Sequence, residues 1–373
     1  MAPVLTGCAT EEGTRRYAAR FAPAVPAEHY RPCGHLGVLS SLGIGTYLGR
    51  EDPATDALYR RAVARAFERG LNVVDTAVNY RHQRSERTVG AALDELVGRQ
   101  ALRRDEVVVA TKGGYIPLDA ESTVDPRTYV LDTYLKSGII RPEEVAGGAH
   151  CMSPGYLRDQ IARSRRNLGL ETIDIYYLHN PEAQLAELER PAFLTRIRGA
   201  FGALEEAVGA GAIGCYGTAT WDGCRQPPTA RDYLSLEELV QAAHDVGGTE
   251  HHFKVVQLPY NLAMTEAFTR ANQRVGSHTV TPLEAARRLG MYVMASASVY
   301  QGHLTRDLPT VVAEYLPGLG TDGQRALQFV RSTPGIGTAL VGMKTLAHVE
   351  ENAAVAAAPP MAWEQFKRMF SET

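Results

Sequence analysis

Four side chains, each on or just after a strand-like run, could together move a proton onto a carbonyl oxygen. Asp75 and Tyr80 lie in Asn72-Val-Val-Asp-Thr-Ala-Val-Asn-Tyr80, Lys112 closes Val107-Val-Val-Ala-Thr-Lys112, and His179 closes Ile173-Asp-Ile-Tyr-Tyr-Leu-His179. On neighbouring parallel strands, a carboxylate, a phenol, an ammonium and an imidazole would converge at one rim. Carbonyl reduction needs a hydride on carbon and a proton on oxygen. A tyrosine hydroxyl can give that proton, but its unperturbed pKa is about 10. A nearby ammonium favours the phenolate and lowers that pKa. Lys112 is therefore expected to act on Tyr80, Asp75 to hold Lys112 in place and charged, and His179 to direct the substrate oxygen with a hydrogen bond. Taken singly, each residue has an ordinary explanation as a salt-bridged rim group, a structural histidine or a packing tyrosine. Their joint occurrence at successive strand ends is what points to chemistry.

Alternating strands and helices must position these groups. Strand-like runs are read at Leu42–Gly45, up to Asp75, at 107–112, up to His179, and at 213–217, 253–258, 291–295 and 338–341. Helical periodicity separates them. Ser85 is read as opening the second helix, Ser153-Pro154 as a hydroxyl cap with proline in the first turn, and Gly169 as the stop. Ser235 and Thr281-Pro282 open later helices. Eight strands, each followed by a helix, predict a (β/α)₈ TIM barrel with long loops on the C-terminal rim. An open doubly wound sheet is disfavoured because Leu42-Gly-Ile-Gly45 lacks the third glycine of a dinucleotide-binding turn. The chain divides into an N-terminal extension over 1–35, a barrel over 36–357 with inserted loops at 114–152, 259–280 and 296–321, and a helical tail over 358–373. Long loops on that rim usually shape a substrate pocket or lid.

The 373-residue chain is 45% hydrophobic and 22% charged with a net charge of −3, an ordinary globular mix. That balance carries no electrostatic footprint for nucleic acid, and no apolar run reaches membrane-spanning length. Five cysteines without a Cys-x-x-Cys read as a reducing, cytoplasmic setting. No metal is expected: His251 and His252 are adjacent and diverge when extended, and Cys215 and Cys224 lack ligand spacing.

From about Leu36 to Ala357 the chain resembles the aldo-keto reductase family. The matching pieces are Gly70-Leu-Asn-Val-Val-Asp-Thr-Ala-Val-Asn-Tyr80, Ser85-Glu86-Arg87 with Val89-Gly90, Ala110-Thr-Lys112, Ile173 to His179, Gly214-Cys-Tyr-Gly-Thr218, Gln257 with Tyr260-Asn261, and Gly342 with Glu351-Asn352. The resemblance implies a barrel that binds NADPH across its C-terminal rim, NAD being the alternative, and Tyr80 as general acid with Lys112, Asp75 and His179 assisting. It implies Gly45, Thr46 and Tyr47 near the nicotinamide ribose, Gln257 at the carboxamide, Lys344 and His348 at the 2′-phosphate, and Gly342, Glu351 and Asn352 elsewhere on the nucleotide. The chain departs from the family at two points. Ala219-Thr220 replaces the usual Ser-Asn, leaving the Thr220 hydroxyl as the surviving contact. Ser296 stands where an aromatic usually stacks on the nicotinamide, with Tyr300 as a substitute from a shifted loop.

The expected function is reduction of an aldehyde or ketone, including a sugar, by a monomer or homo-oligomer acting on a small carbonyl substrate. Two alternatives are a nucleotide-sensing regulatory subunit with little turnover, and a sugar oxidoreductase or epimerase that retains its cofactor.

Overall fold

A computed structural model describes residues 4–370; the outermost residues of the N-terminal extension and of the tail lie outside the described residues. Eight parallel strands form a closed barrel. They are β1 (Leu42–Gly45), β2 (Val73–Asp75), β3 (Val108–Gly113), β4 (Ile173–His179), β5 (Ile213–Ala219), β6 (Phe253–Pro259), β7 (Tyr292–Ser296) and β8 (Thr338–Gly342). Each strand pairs with the next in sequence, and β8 returns to β1. The outer helices are α1 (Pro53–Glu68), α2 (Arg84–Gly98), α3 (Pro154–Leu168), α4 (Arg190–Gly209), α5 (Leu236–Gly247), α6 (Pro282–Arg288), α7 (Asp322–Ser332) and α8 (Leu346–Ala353).

Strand alternation sorts the apolar residues into two cores. Val74, Val109, Tyr176, Tyr216 and Val256 face the helices and join the large core between the two layers. Val73, Val108, Ala110, Ile175, Tyr177, Cys215, Val255, Met294 and Leu340 fill the barrel itself. Room inside is scarce. A side chain at Gly217 would start 1.9 Å from the Val255 carbonyl oxygen and 3.1 Å from the Tyr177 ring, so β5 passes that ring only as glycine.

Helix starts follow local chemistry, with two departures from expectation. Asp52, Ser235, Thr281, Thr321 and Thr345 each accept a backbone N–H at the start of α1, α5, α6, α7 and α8. Ser153 occupies the cap position of α3, but its side chain makes no cap bond. Its oxygen instead accepts from the Cys151 thiol at 3.4 Å. Ser85 is not the cap of α2: Gln83 precedes the helix in a left-handed conformation, and the Ser85 hydroxyl donates to the Thr46 carbonyl at 2.8 Å. Gly169 ends α3 with φ +65, as its lack of a side chain permits.

The segment before the barrel closes its N-terminal end. Residues Glu11–Phe21 form a helix, and Asp174 of β4 binds this segment to the barrel. Its Oδ1 accepts Ala9 N–H at 2.7 Å, and its Oδ2 accepts both Val109 N–H and Arg104 at 2.7 Å. At the other end of the chain, the helix Trp363–Arg368 buries Phe366 against Phe268 and Phe329.

Two buried side chains brace the C-terminal rim. His150, in the loop after β3, contacts the His179 carbonyl oxygen through Nε2 at 2.7 Å and Gln184 through Nδ1 at 2.9 Å. A carbonyl only accepts, so Nε2 carries the hydrogen. Burial holds this imidazole down at about 4, and it stays neutral. Glu182, in the turn Pro181–Ala186, accepts Trp221 N–H at 2.6 Å with Oε1, while its Oε2 is buried without a hydrogen-bond partner. Burial pushes this carboxyl up to about 7, against the backbone donors that favour its ionised form.

Asp174→Ala should destabilise the fold by about 3–5 kcal/mol in urea unfolding, because it leaves the buried Arg104 charge without its partner. Glu182 sets a pH dependence. Between its reference value of 4.5 and about 7, the folded state keeps a proton that the unfolded chain has lost. Stability therefore falls as pH rises through that window, by up to about 3 kcal/mol, and levels off above it. Thermal melts of Glu182→Gln across pH 4.5–8 should lack this slope; an unchanged slope would assign it to other groups.

Candidate active site

Strand register builds the site as a continuation of the barrel's inward-facing rows. Asp75 lies opposite Ala110, and Lys112 is two residues further along β3. Lys112 in turn lies opposite Tyr177, and His179 is two residues further along β4. His179 pairs with Ala219, and Ala219 with Gln257. A two-residue step keeps a side chain on the same face of its strand. Asp75, Lys112, His179 and Gln257 thus crown the interior rows and converge on the barrel axis at the end where barrel active sites form.

Lys112 is buried beneath the others. Its Nζ lies 2.6 Å from Asp75 Oδ2, 2.9 Å from the Thr76 carbonyl oxygen and 3.2 Å from the Tyr80 hydroxyl. Gln257 Nε2 donates to the other Asp75 oxygen at 2.9 Å. The ammonium also sits 4.8 Å from the centroid of the Tyr80 ring. Tyr80 comes from the turn after β2 and is half-buried. Its ring meets Tyr47 at 5.0 Å and His179 at 6.0 Å, both near edge-on.

The electrostatic balance differs from the sequence expectation in one respect. Burial raises the Tyr80 phenol above the ordinary tyrosine value; Lys112 pulls it down but does not win. Phenolate is a concentrated charge with little water to solvate it here, and that cost exceeds the attraction of a lysine already paired with Asp75. For Lys112, burial disfavours the charge, but Asp75 and Tyr80 outweigh it and hold the ammonium above the ordinary lysine value. His179 is held well below the ordinary histidine range by burial, with help from Lys112 and His150. At neutral pH the site is a protonated phenol, an ammonium and a neutral imidazole.

Asp75, Tyr80 and His179, with Lys112 buried beneath them, border a cleft of about 900 Å³ that runs to the start of α8. Gly45, Thr46, Tyr47, Asp75, Thr220, Gln257, Ser296, Gly342, Lys344, His348, Glu351 and Asn352 all line it. Glu351 is fixed by the Thr321 hydroxyl at 2.6 Å. One expectation changes. Tyr300 does not line the cleft; it is exposed and packs on His303 at 5.5 Å, because the turn after β7 carries it outward. Gln257 lines the cleft as expected, with its amide N–H directed to Asp75. Sequence reasoning missed Tyr115, Asn180 and Trp221, which also line the cleft. Asn180 directly follows His179 and Trp221 directly follows Thr220, so adjacency to the expected site residues was the available signal. Tyr115 had none, because the fold of the loop after β3 places it. Among the described residues no group of histidine, cysteine, aspartate and glutamate could hold a metal ion, and no helix is long and apolar enough to cross a membrane.

Known proteins resemble this chain in sequence and in fold. The chain is 27% identical over 285 residues to the NADH-specific methylglyoxal reductase of Escherichia coli (strain K12), covering 75% of this chain and 69% of that protein. It is 32% identical over 152 residues to a D-threo-aldose 1-dehydrogenase of a Pseudomonas species, covering 41% of this chain and 40% of that one. Among solved structures, an aldo/keto reductase from Klebsiella pneumoniae in complex with NADP and acetate superposes with a TM-score of 0.62 at 20% identity, over 92% of this chain and 94% of that one. The glycerol dehydrogenase of Gluconobacter oxydans gives 0.63 at 19% identity, over 93% and 95%. Residues 41–371 match the Aldo/keto reductase family, and with that match, the closed barrel and this rim, the chain belongs to the aldo/keto reductase family.

Proposed function

We propose that this protein is an NADPH-dependent reductase of a small aldehyde or ketone, with Tyr80 as the proton donor. The contact that carries this reading is the 3.2 Å approach of the Lys112 ammonium to the Tyr80 hydroxyl. The names of the relatives, a methylglyoxal reductase and an aldose dehydrogenase, support oxygen-rich carbonyl substrates.

The cleft suits a nicotinamide nucleotide. No heavy atom lies within 4 Å of where a side chain at Gly342 would begin, so glycine leaves that volume open. Lys344 brings a cation to the far end of the cleft, beside His348 and the first turn of α8, where the charges of a phosphate would be met. Gly45, Thr46 and Tyr47 would bound the ribose, Thr220, Gln257 and Ser296 the nicotinamide, and Glu351 and Asn352 the adenosine. The bound cofactor would supply a hydride to the carbonyl carbon. The chain's own residues do the rest. His179, neutral, donates a hydrogen bond to the carbonyl oxygen. Tyr80 passes its hydrogen to that oxygen as negative charge builds there. Lys112 stabilises the phenolate left behind, and Asp75 keeps Lys112 charged. Its free cysteines suit a reducing cytoplasm.

Tyr80→Phe should lower turnover by about 10²–10⁴-fold while nucleotide binding, followed by fluorescence, stays intact. The raised phenol also fixes a sign. Reduction should persist into alkaline solution because the acid form is retained, whereas alcohol oxidation, which needs the phenolate, should climb with pH. Retained turnover in the variant, or loss of reduction near neutrality, would remove Tyr80 from its role. Lys344→Ala should weaken NADPH about tenfold, as expected for one charge-assisted contact, and leave NADH unchanged.

A further inference from the structure

Beyond the proton-transfer set, the rim carries a second pair of polar side chains with complementary groups to spare. Tyr115 and Asn180 both line the cleft beside Tyr80 and His179. Asn180 Nδ2 donates to the Tyr115 hydroxyl oxygen at 3.1 Å. Among the described residues nothing accepts the Tyr115 hydrogen and nothing donates to Asn180 Oδ1. The pair thus offers the cleft the Tyr115 O–H and the second Asn180 amide hydrogen as donors and the Asn180 Oδ1 as acceptor.

Both members are held rigidly. The Tyr115 ring stands edge-on to His179 at 5.1 Å and to His150 at 5.2 Å, so it is wedged between two imidazoles. Its own carbonyl oxygen accepts the Tyr156 hydroxyl of α3 at 2.7 Å, which ties it to the buried cluster that Tyr156 forms with Tyr134, Ile140 and Cys151 of the inserted loop. Asn180 has φ +44, a left-handed conformation that asparagine tolerates better than most residues. Its N–H donates to the Ala219 carbonyl at 2.6 Å, which fixes it to the end of β5.

We propose that Tyr115 and Asn180 bind a hydroxyl group of the substrate, and that the enzyme prefers carbonyl compounds hydroxylated one or two carbons from the carbonyl. A hydroxyl both donates and accepts, which matches one free O–H and one free amide oxygen. The carbonyl oxygen sits between Tyr80 and His179, and Tyr115 is the next ring along, so only a short chain separates the two groups. A substrate lacking the hydroxyl would bury the Tyr115 hydrogen and the Asn180 oxygen without partners, and such a site rejects it. The inference rests on the reductase reading above and deepens it to a substrate class.

The test compares 3-hydroxy-2-butanone with 2-butanone, which differ by that hydroxyl. Wild-type enzyme should favour the hydroxyketone in kcat/KM. Tyr115→Phe should raise KM for the hydroxyketone about tenfold with kcat nearly unchanged, as for loss of one uniform binding contact, and should lower the ratio of kcat/KM for the hydroxyketone over 2-butanone by about the same factor. Asn180→Gly, which keeps the left-handed backbone, should show the same selective loss. If wild type reduces both ketones without preference, or either variant affects them equally, the hydroxyl site is wrong while the reductase reading stands. If wild type reduces no carbonyl compound at all, both fall together.

Discussion

Lys112 carries its charge inside the barrel, and the rest of the site is arranged around that fact. An ammonium withdrawn from water loses several kcal/mol of solvation. Here the loss is offset by Asp75 Oδ2 at 2.6 Å and the Thr76 carbonyl at 2.9 Å. Asp75 is itself buried, and its second oxygen is met by Gln257 from across the barrel. Each charge in the pair has partners with good geometry, and the remaining direction of the ammonium is taken by the Tyr80 hydroxyl. A chain that buried this lysine without the carboxylate would shed the proton rather than hold it.

That arrangement gives the phenol two opposed influences. Burial favours the protonated form, and the ammonium favours the phenolate. The first prevails in the protein as it stands, so the phenol holds its proton for the transfer proposed above. In the proposed transfer the second would matter as the proton leaves, because the developing charge would lie 3.2 Å from a fixed cation. Stabilisation by a preorganised charge costs no rearrangement at the moment of reaction. A neutral His179 fits the same logic, since a second cation beside the phenol would loosen its hydrogen before substrate arrived.

The loop after β3 shapes the remainder of the cleft. It has a small apolar core of its own and is pinned to the barrel by His150 on the His179 backbone. The wall that faces the substrate is therefore as rigid as the floor. In the adjoining turn, Glu182 holds the Trp221 backbone, so the position of an aromatic at the mouth of the cleft depends on a carboxyl that burial pushes up to about 7.

Periodicity and residue type pointed to the eight-stranded barrel and singled out Asp75, Tyr80, Lys112 and His179, which the structure brings together at one rim. A parallel strand must alternate with a helix to bury both faces of the sheet, and that alternation is written locally. The residues expected around a nucleotide came from the family resemblance, and they line one cleft. Three things needed the tertiary structure. The net direction of the Tyr80 shift depended on comparing burial with attraction, and burial is a property of everything packed around a group. The outward path of Tyr300 and the inward path of Tyr115 depended on loops whose backbone follows no repeat. The pairing of Tyr115 with Asn180 joined residues 65 positions apart, and only the closed barrel, by setting β4 beside β3, brings them within a hydrogen bond.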